Sequence, residues 1–320
     1  MYQFFSSLPE AEINRRYLNT FRTASFNKKF EAAMGTIPEL AGLLPEDVKG
    51  EDILIYNFNK LTSLYYSYIE KLSTLTDERR SEINERLSGV FNYSSYRPKI
   101  RGFLCNPDNG FEIHNCVYCD IHHFHTYKKN GKLCIDFHAD HVLDEGKCPL
   151  VGLSIHNFVP SCAICNEGGN KGTKTLGRSK RETLKISPKS RQNRFESDVD
   201  FFFTPSCEDI KDLRMFRGNE GWEIDFNYSV AEYGRTIELF SLRERYNAEK
   251  GRMGEFIFRR RNNPDTKIRN DAQALKVLFE KRVEELFEFE RNKMDHAPME
   301  KCRRELIKQV YGSLPGGVPD

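Results

Sequence analysis

Apolar side chains recur at alternating steps of four and three at Leu54, Phe58, Leu61, Tyr65, Tyr68 and Leu72. That is the period of one helical face, so 51–72 is expected to form an amphipathic helix. A second helix follows, with Asp77 as its expected cap and Ile83, Leu87 and Phe91 on one face. Residues 1 to about 100 thus read as a mainly helical region. The pattern changes at Asn130-Gly131, a strong two-residue hairpin turn between IHHFHTYKK and KLCIDFHAD. Beyond the turn Leu133, Ile135 and Phe137 alternate with Cys134, Asp136 and His138, giving one face to pack and one polar face. DFFF (200–203), WEIDFNY (222–228) and RTIELF (235–240) read as strands, with helices at 241–259, about 265–293 and 298–311. Leu275, Leu278, Leu286 and Phe289 on the long helix are expected to be core or an interface.

The chain has 320 residues, 38% hydrophobic and 30% charged, the balance of a soluble globular protein with one large core or two modest ones. No stretch approaches the ~20 apolar residues that span a bilayer, so no membrane partner is expected. The opening MYQFFSSLPEAEINRRY lacks the basic region and apolar run of a signal peptide. Nine cysteines, four of them in Cys-x-x-Cys pairs, suggest metal binding in a reducing compartment, and hence a cytoplasmic protein. Cys105, Cys134, Cys148, Cys207 and Cys302 are expected to be ordinary reduced thiols.

The two pairs are Cys116/Cys119 (CVYC) and Cys162/Cys165 (CAIC), with 42 residues between them. Each brings two thiolates onto one tight knuckle, and four thiolates meet the tetrahedral demand of a structural zinc. Between and beside them lie Asp140-His141, Asn157 sixteen residues later, and Asn166 directly after Cys165.

This compound pattern resembles the zinc-bearing branch of the HNH nucleases, in which one Cys-x-x-Cys precedes a hairpin and a second opens a helix. The resemblance covers roughly residues 105–175 and leaves the flanks mostly unexplained. It implies an α+β fold, a ββα-metal core with structural zinc between a helical N-terminal region and a mixed, mostly helical C-terminal region. The expected divisions are 1–100, 101–194 and 195–320. The segments LFSLRERYN (239–247) and MEKCRRELIKQVYG (299–312) look loosely like the C-terminal part of standalone HNH proteins from bacterial restriction and phage-defence loci. Some of those act beside an ATPase, which would make such a subunit the expected protein partner.

Phosphodiester hydrolysis needs an activated water, charge relief at the phosphate and a stabilised leaving oxygen. His141 is the natural general base, since imidazole titrates near neutral pH. Asp140 and Asn166 would give one divalent ion an anionic and a neutral oxygen ligand, leaving positions for water and phosphate as magnesium or manganese prefers. Asn157 would tie the loop between two strands and help orient His141. The resemblance implies the same roles at these positions. Here the run is CNEGGNKG, where the family usually has a lysine three residues after the asparagine, so Asn170 is an alternative ligand to Asn166.

Net charge is only +2, but it is unevenly placed. From Asn166 to Arg194 nine basic residues, among them Lys171, Lys174, Lys180, Arg181, Lys185 and Lys189, face only Glu167 and Glu182, a local +7. Such a run beside a metal site suits a polyphosphate, so Lys171, Lys174, Lys180 and Arg181 are expected to touch nucleic acid, DNA first and RNA not excluded. Its ordinary reading is a solvated loop. Likewise a lone Asp-His pair is usually a surface feature, and His138 reads as a polar strand residue. A catalytically silent zinc module that binds nucleic acid or a partner protein is the alternative to an endonuclease.

Overall fold

The computed structural model describes residues 1–167, 169–204, 216, 220–287 and 298–312. They form a mixed α+β structure of many helices and three two-stranded antiparallel sheets. By contacts they group into two units. One comprises residues 1–118 and 124–193, the other residues 119–123 with those described from Arg194 onward.

In the first unit the helix expected over 51–72 is two, Gly50–Leu54 and Phe58–Leu72. The break falls where Asn57 leaves helical geometry and its side chain accepts from Lys60 N, so the residue caps the second helix. Phe58, Leu61, Tyr65, Tyr68 and Leu72 are all buried, as their spacing requires. Helix Asp77–Val90 starts one residue later than its cap, which is Thr76 and not Asp77, since the Thr76 hydroxyl accepts from Arg79 N. The expected division near residue 100 does not separate compact units. Helical side chains before it bond backbone beyond it: Tyr17 to Leu153 O at 2.7 Å and Tyr93 to Ala139 O at 3.1 Å.

Strands β1 (Thr126–Lys129) and β2 (Lys132–Ile135) pair across the expected turn. Asn130 and Gly131 both take positive φ, 51° and 75°, as a type I′ turn demands. The strand does not run on to Asp140. It stops at Ile135, and β3 (His138–His141) pairs instead with β4 (Phe158–Ser161), setting Asp140 opposite Val159 and His141 opposite Phe158. The connection of residues 142–157 is long for a hairpin but apolar, with Val142, Leu143, Leu150, Val151 and Leu153 fully buried. After β4 a single helical turn, Ala163–Asn166, follows in place of an extended helix.

In the second unit β5 (Val199–Thr204) and β6 (Glu223–Tyr228) pair, with Val199, Phe201, Phe203, Ile224 and Phe226 turned inward. Glu305 and Gln309, one helical turn apart, accept from the N–H groups of Phe201 and Phe203 and so satisfy the open edge of β5. RTIELF is helical, not a strand: it closes the helix Ala231–Leu239 and its cap Phe240, and Tyr233, Ile237 and Phe240 are buried at steps of four and three. The segment expected as one helix over 241–259 is Leu242–Ala248 followed by Lys250–Asn262. The helix expected from 265 divides into Asp265–Leu275 and Phe279–Phe287, because Lys276 adopts φ 57°. Its expected continuation to 293, with Phe289, lies outside the described residues, as does Cys207. Glu300–Tyr311 closes the unit, and Phe256, Ile268, Val283, Phe287 and Ile307 share one core. Leu275 and Leu278 stay exposed, outside that core. No helix among the described residues is long and apolar enough to cross a membrane.

Candidate metal and catalytic site

The two knuckles come together. Cys116, Cys119, Cys162 and Cys165 are all buried, and their sulfurs lie within 4.8 Å of one another. Zinc–thiolate bonds of about 2.3 Å in a tetrahedron put sulfurs roughly 3.8 Å apart, so four buried cysteines lie close enough to hold a zinc ion. Outer donors suit thiolates as well. The Cys165 N–H points at Cys162 Sγ (3.5 Å) and the Arg245 guanidinium at Cys119 Sγ (3.2 Å). Among the described residues no other group of His, Cys, Asp and Glu gathers in this way.

Asp140 and His141 leave β3 on opposite faces. Asp140 is buried, and three donors reach it: the Lys171 ammonium, the Tyr118 hydroxyl and the His141 backbone N–H. The Lys171 ammonium lies 3.1 Å from Oδ1 and 3.0 Å from Oδ2, and the Tyr118 hydroxyl donates to Oδ2 at 2.5 Å. Lys171 Nζ also donates to His141 O at 2.5 Å. Burial pushes the Asp140 carboxyl above its ordinary range, while Lys171 and Tyr118 pull it back. Lys171 is therefore not a surface contact for nucleic acid: it is 1% exposed and spent on an internal ion pair.

On the other face His141 packs edge-on against Tyr93, ring centroids 4.5 Å apart, and against Phe158. Its Nε2 lies 2.9 Å from Gly152 O. A carbonyl only accepts, so Nε2 carries the proton and Nδ1 keeps its lone pair. Burial lowers the imidazole pKa to about 4, which keeps the ring neutral at physiological pH. Glu145 Oε2 stands 3.5 Å from the same Nε2, and burial beside Asp144 raises its carboxyl to about 7.

Asn157 spans the loop that supplies Gly152. Its Oδ1 accepts from Leu143 N (2.8 Å), and its Nδ2 donates to Leu143 O (3.0 Å) and Val151 O (3.1 Å). One carboxamide thereby holds both ends of residues 143–151. Asn166 ends the helical turn with Nδ2 3.3 Å from His138 Nδ1, which leaves its Oδ1 free of that bond. His138 and Asp140 are two apart on the strand, so Asn166 borders the face that carries Asp140. Asn170 points elsewhere, donating to Ile164 O.

Among its described residues the +7 run is partly packed against the core. Leu176, Leu184 and Ile186 are buried, and Ser179 caps helix Lys180–Ile186. Lys174, Lys180 and Arg181 are exposed, whereas Lys189 is buried like Lys171. Two contributors were not evident beforehand: Tyr118, inside the first knuckle, and the Gly152 carbonyl. The first carries a readable signal, a tyrosine between two ligand cysteines; a backbone carbonyl carries none.

No family model matches this chain, and neither a curated protein nor a solved structure matches it.

Proposed function

We propose that the chain is a metal-dependent endonuclease of the HNH type that hydrolyses phosphodiester bonds of DNA, with β3, β4 and the turn Ala163–Asn166 as a reduced ββα core. The observation that carries this reading is the hydrogen bond from His141 Nε2 to Gly152 O, in a loop that Asn157 clamps. An imidazole so anchored presents Nδ1 as a fixed, neutral acceptor, which is what proton removal from water requires.

A carboxylate has about four acceptor directions; Lys171 and Tyr118 take three and the His141 backbone N–H a fourth, so a hard ion bound at Asp140 would displace one of these donors. With the Asn166 carbonyl it would hold magnesium or manganese through two oxygens, a donor set suited to an ion that retains water. Such an ion would supply Lewis-acid charge at the phosphate and the leaving oxygen. His141 accepts the proton of the attacking water. Asn157 keeps the ring in register, and Lys171 limits the negative charge at Asp140. The cysteine cluster would carry zinc as a structural clamp. Exposed Lys174, Lys180 and Arg181 would position the phosphate backbone without reading bases. A place in restriction or phage defence, beside an ATPase subunit, accords with the loose likeness of 239–247 and 299–312.

One observation favours a second reading, a catalytically silent zinc module that binds nucleic acid or a partner protein. Lys171 already neutralises the only carboxylate of the set. Incubation of supercoiled plasmid with the protein and magnesium or manganese, beside His141→Ala, separates the two.

A further inference from the structure

A cavity of about 260 Å³ lies in the first unit, away from Asp140 and His141, walled by Phe5, Phe58, Phe111 and Leu184 and reached by Lys189, Arg191 and His156. Lys189 is 3% exposed. Among the described residues its Nζ has neither a hydrogen-bond acceptor nor a carboxylate. Its ammonium lies only over the rings of Phe4 (5.1 Å) and Phe111 (5.7 Å). A buried lysine is normally paired, because an isolated ammonium in an apolar site is strongly disfavoured. Ring faces return only part of that cost. The burial also lowers the lysine pKa to about 7, and that of His156 to about 3. His156 is thus neutral, with Nε2 bonded to Asn14 Oδ1 at 3.0 Å, and adds no counter-charge. The carboxylate on the lining is Glu10, which is exposed to solvent.

We infer that this cavity is a binding site for a small organic anion whose acidic head pairs with Lys189 and whose ring-sized apolar body fills the phenylalanine-lined space. Size sets the body. An apolar cavity of about 150 Å³ takes benzene, so one of 260 Å³ admits a single ring with an acidic substituent. Charge sets the head, carboxylate or phosphate: Lys189 is a buried point charge, and the Arg191 guanidinium, lying over the Phe5 ring, adds a second cation on the same lining. None of the residues used belongs to the proposed nuclease site, so this site stands or falls independently of that reading.

The test is isothermal titration of the full chain with phenylacetate and phenyl phosphate, beside neutral 2-phenylethanol and the heads alone, acetate and inorganic phosphate. At least one aromatic anion should bind, and at least tenfold more tightly than 2-phenylethanol and than its own head. Lys189→Met keeps the length and apolar stem of the side chain, so the variant should fold, which its melting curve checks. It should lose tenfold or more in affinity for the anions and nothing for the alcohol. Equal anion affinity in parent and Lys189→Met would overturn the proposal. So would equal binding of alcohol and anions, or binding of none of the five compounds.

Discussion

Lys171 Nζ lies 3.0 Å from Asp140 Oδ2, with the two side chains 2% and 5% exposed. Removing one partner of such a pair leaves an uncompensated charge in the interior, at a cost of about 3–5 kcal/mol. Lys171→Ala should therefore melt roughly 10 °C lower than the parent. If Asp140 is also a divalent-ion ligand, the variant should regain much of that loss in manganese, because the ion then has the carboxylate without a competing ammonium. Thermal melts with and without manganese read this directly. A variant as stable as the parent, or one indifferent to manganese, would remove Asp140 from the metal set.

The cysteine cluster predicts about one zinc per chain on elemental analysis of purified protein. Because structural zinc is bound only by the folded chain, its binding energy is folding energy. Cys119→Ser, or a strong chelator, should unfold the region around the knuckles as well as strip the metal. Metal-free protein with an unchanged melting curve would rule out the clamp.

Asn157 satisfies one buried N–H and two buried carbonyls. Asn157→Ala leaves the Leu143 N–H and carbonyl unpaired, while Val151 O keeps the Ser154 N–H, and should cost about 2–3 kcal/mol in urea unfolding, with an unchanged slope against denaturant. A loss under 1 kcal/mol would mean that the loop of residues 143–151 holds its shape by apolar packing alone.

The solitary charge of Lys189 predicts a stability difference that depends on pH. Its folded pKa, about 7, is below the ordinary 10.5, so the unfolded chain binds the extra proton between those values. The penalty is complete below about pH 7 and fades as pH rises towards 10.5, the sign for a depressed lysine. Lys189→Met should then be more stable than the parent by on the order of 4 kcal/mol at neutral pH, and by progressively less in alkaline buffer. Urea titrations of both proteins across pH 7–10 measure it, and a pH-independent gap would show that Lys189 is not buried charged.

Much of the fold is legible in the residues themselves. The steps of four and three at Leu61, Tyr65, Tyr68 and Leu72 impose a helix, and Asn130-Gly131 imposes a hairpin, because each depends on local stereochemistry alone. RTIELF misleads because β-prone residues occupy a short window, while the deciding partners, Tyr233 and Phe240, lie at its edges. The break before β3 and the cap at Thr76 turn on one or two residues, below the grain of any periodic pattern. At the candidate site the meeting of the four cysteines is readable from spacing, since only their proximity makes both knuckles useful. The burial of Lys171 and Lys189 is not: in sequence each is one more positive charge in a basic run, and only tertiary packing turns them inward.

Nuclease chemistry built on His141 is tested most directly by conversion of supercoiled plasmid to nicked or linear DNA in magnesium or manganese, comparing the parent with His141→Ala. Loss of the base removes a contribution of typically 10²–10⁴ in rate. The parent should cleave and stop when the divalent ion is chelated. His141→Ala should be slower by at least a hundredfold, with an unaltered melting curve and unaltered DNA affinity. Equal rates in the two proteins, or a parent that binds DNA and cleaves none, would contradict it and leave the zinc module as the function.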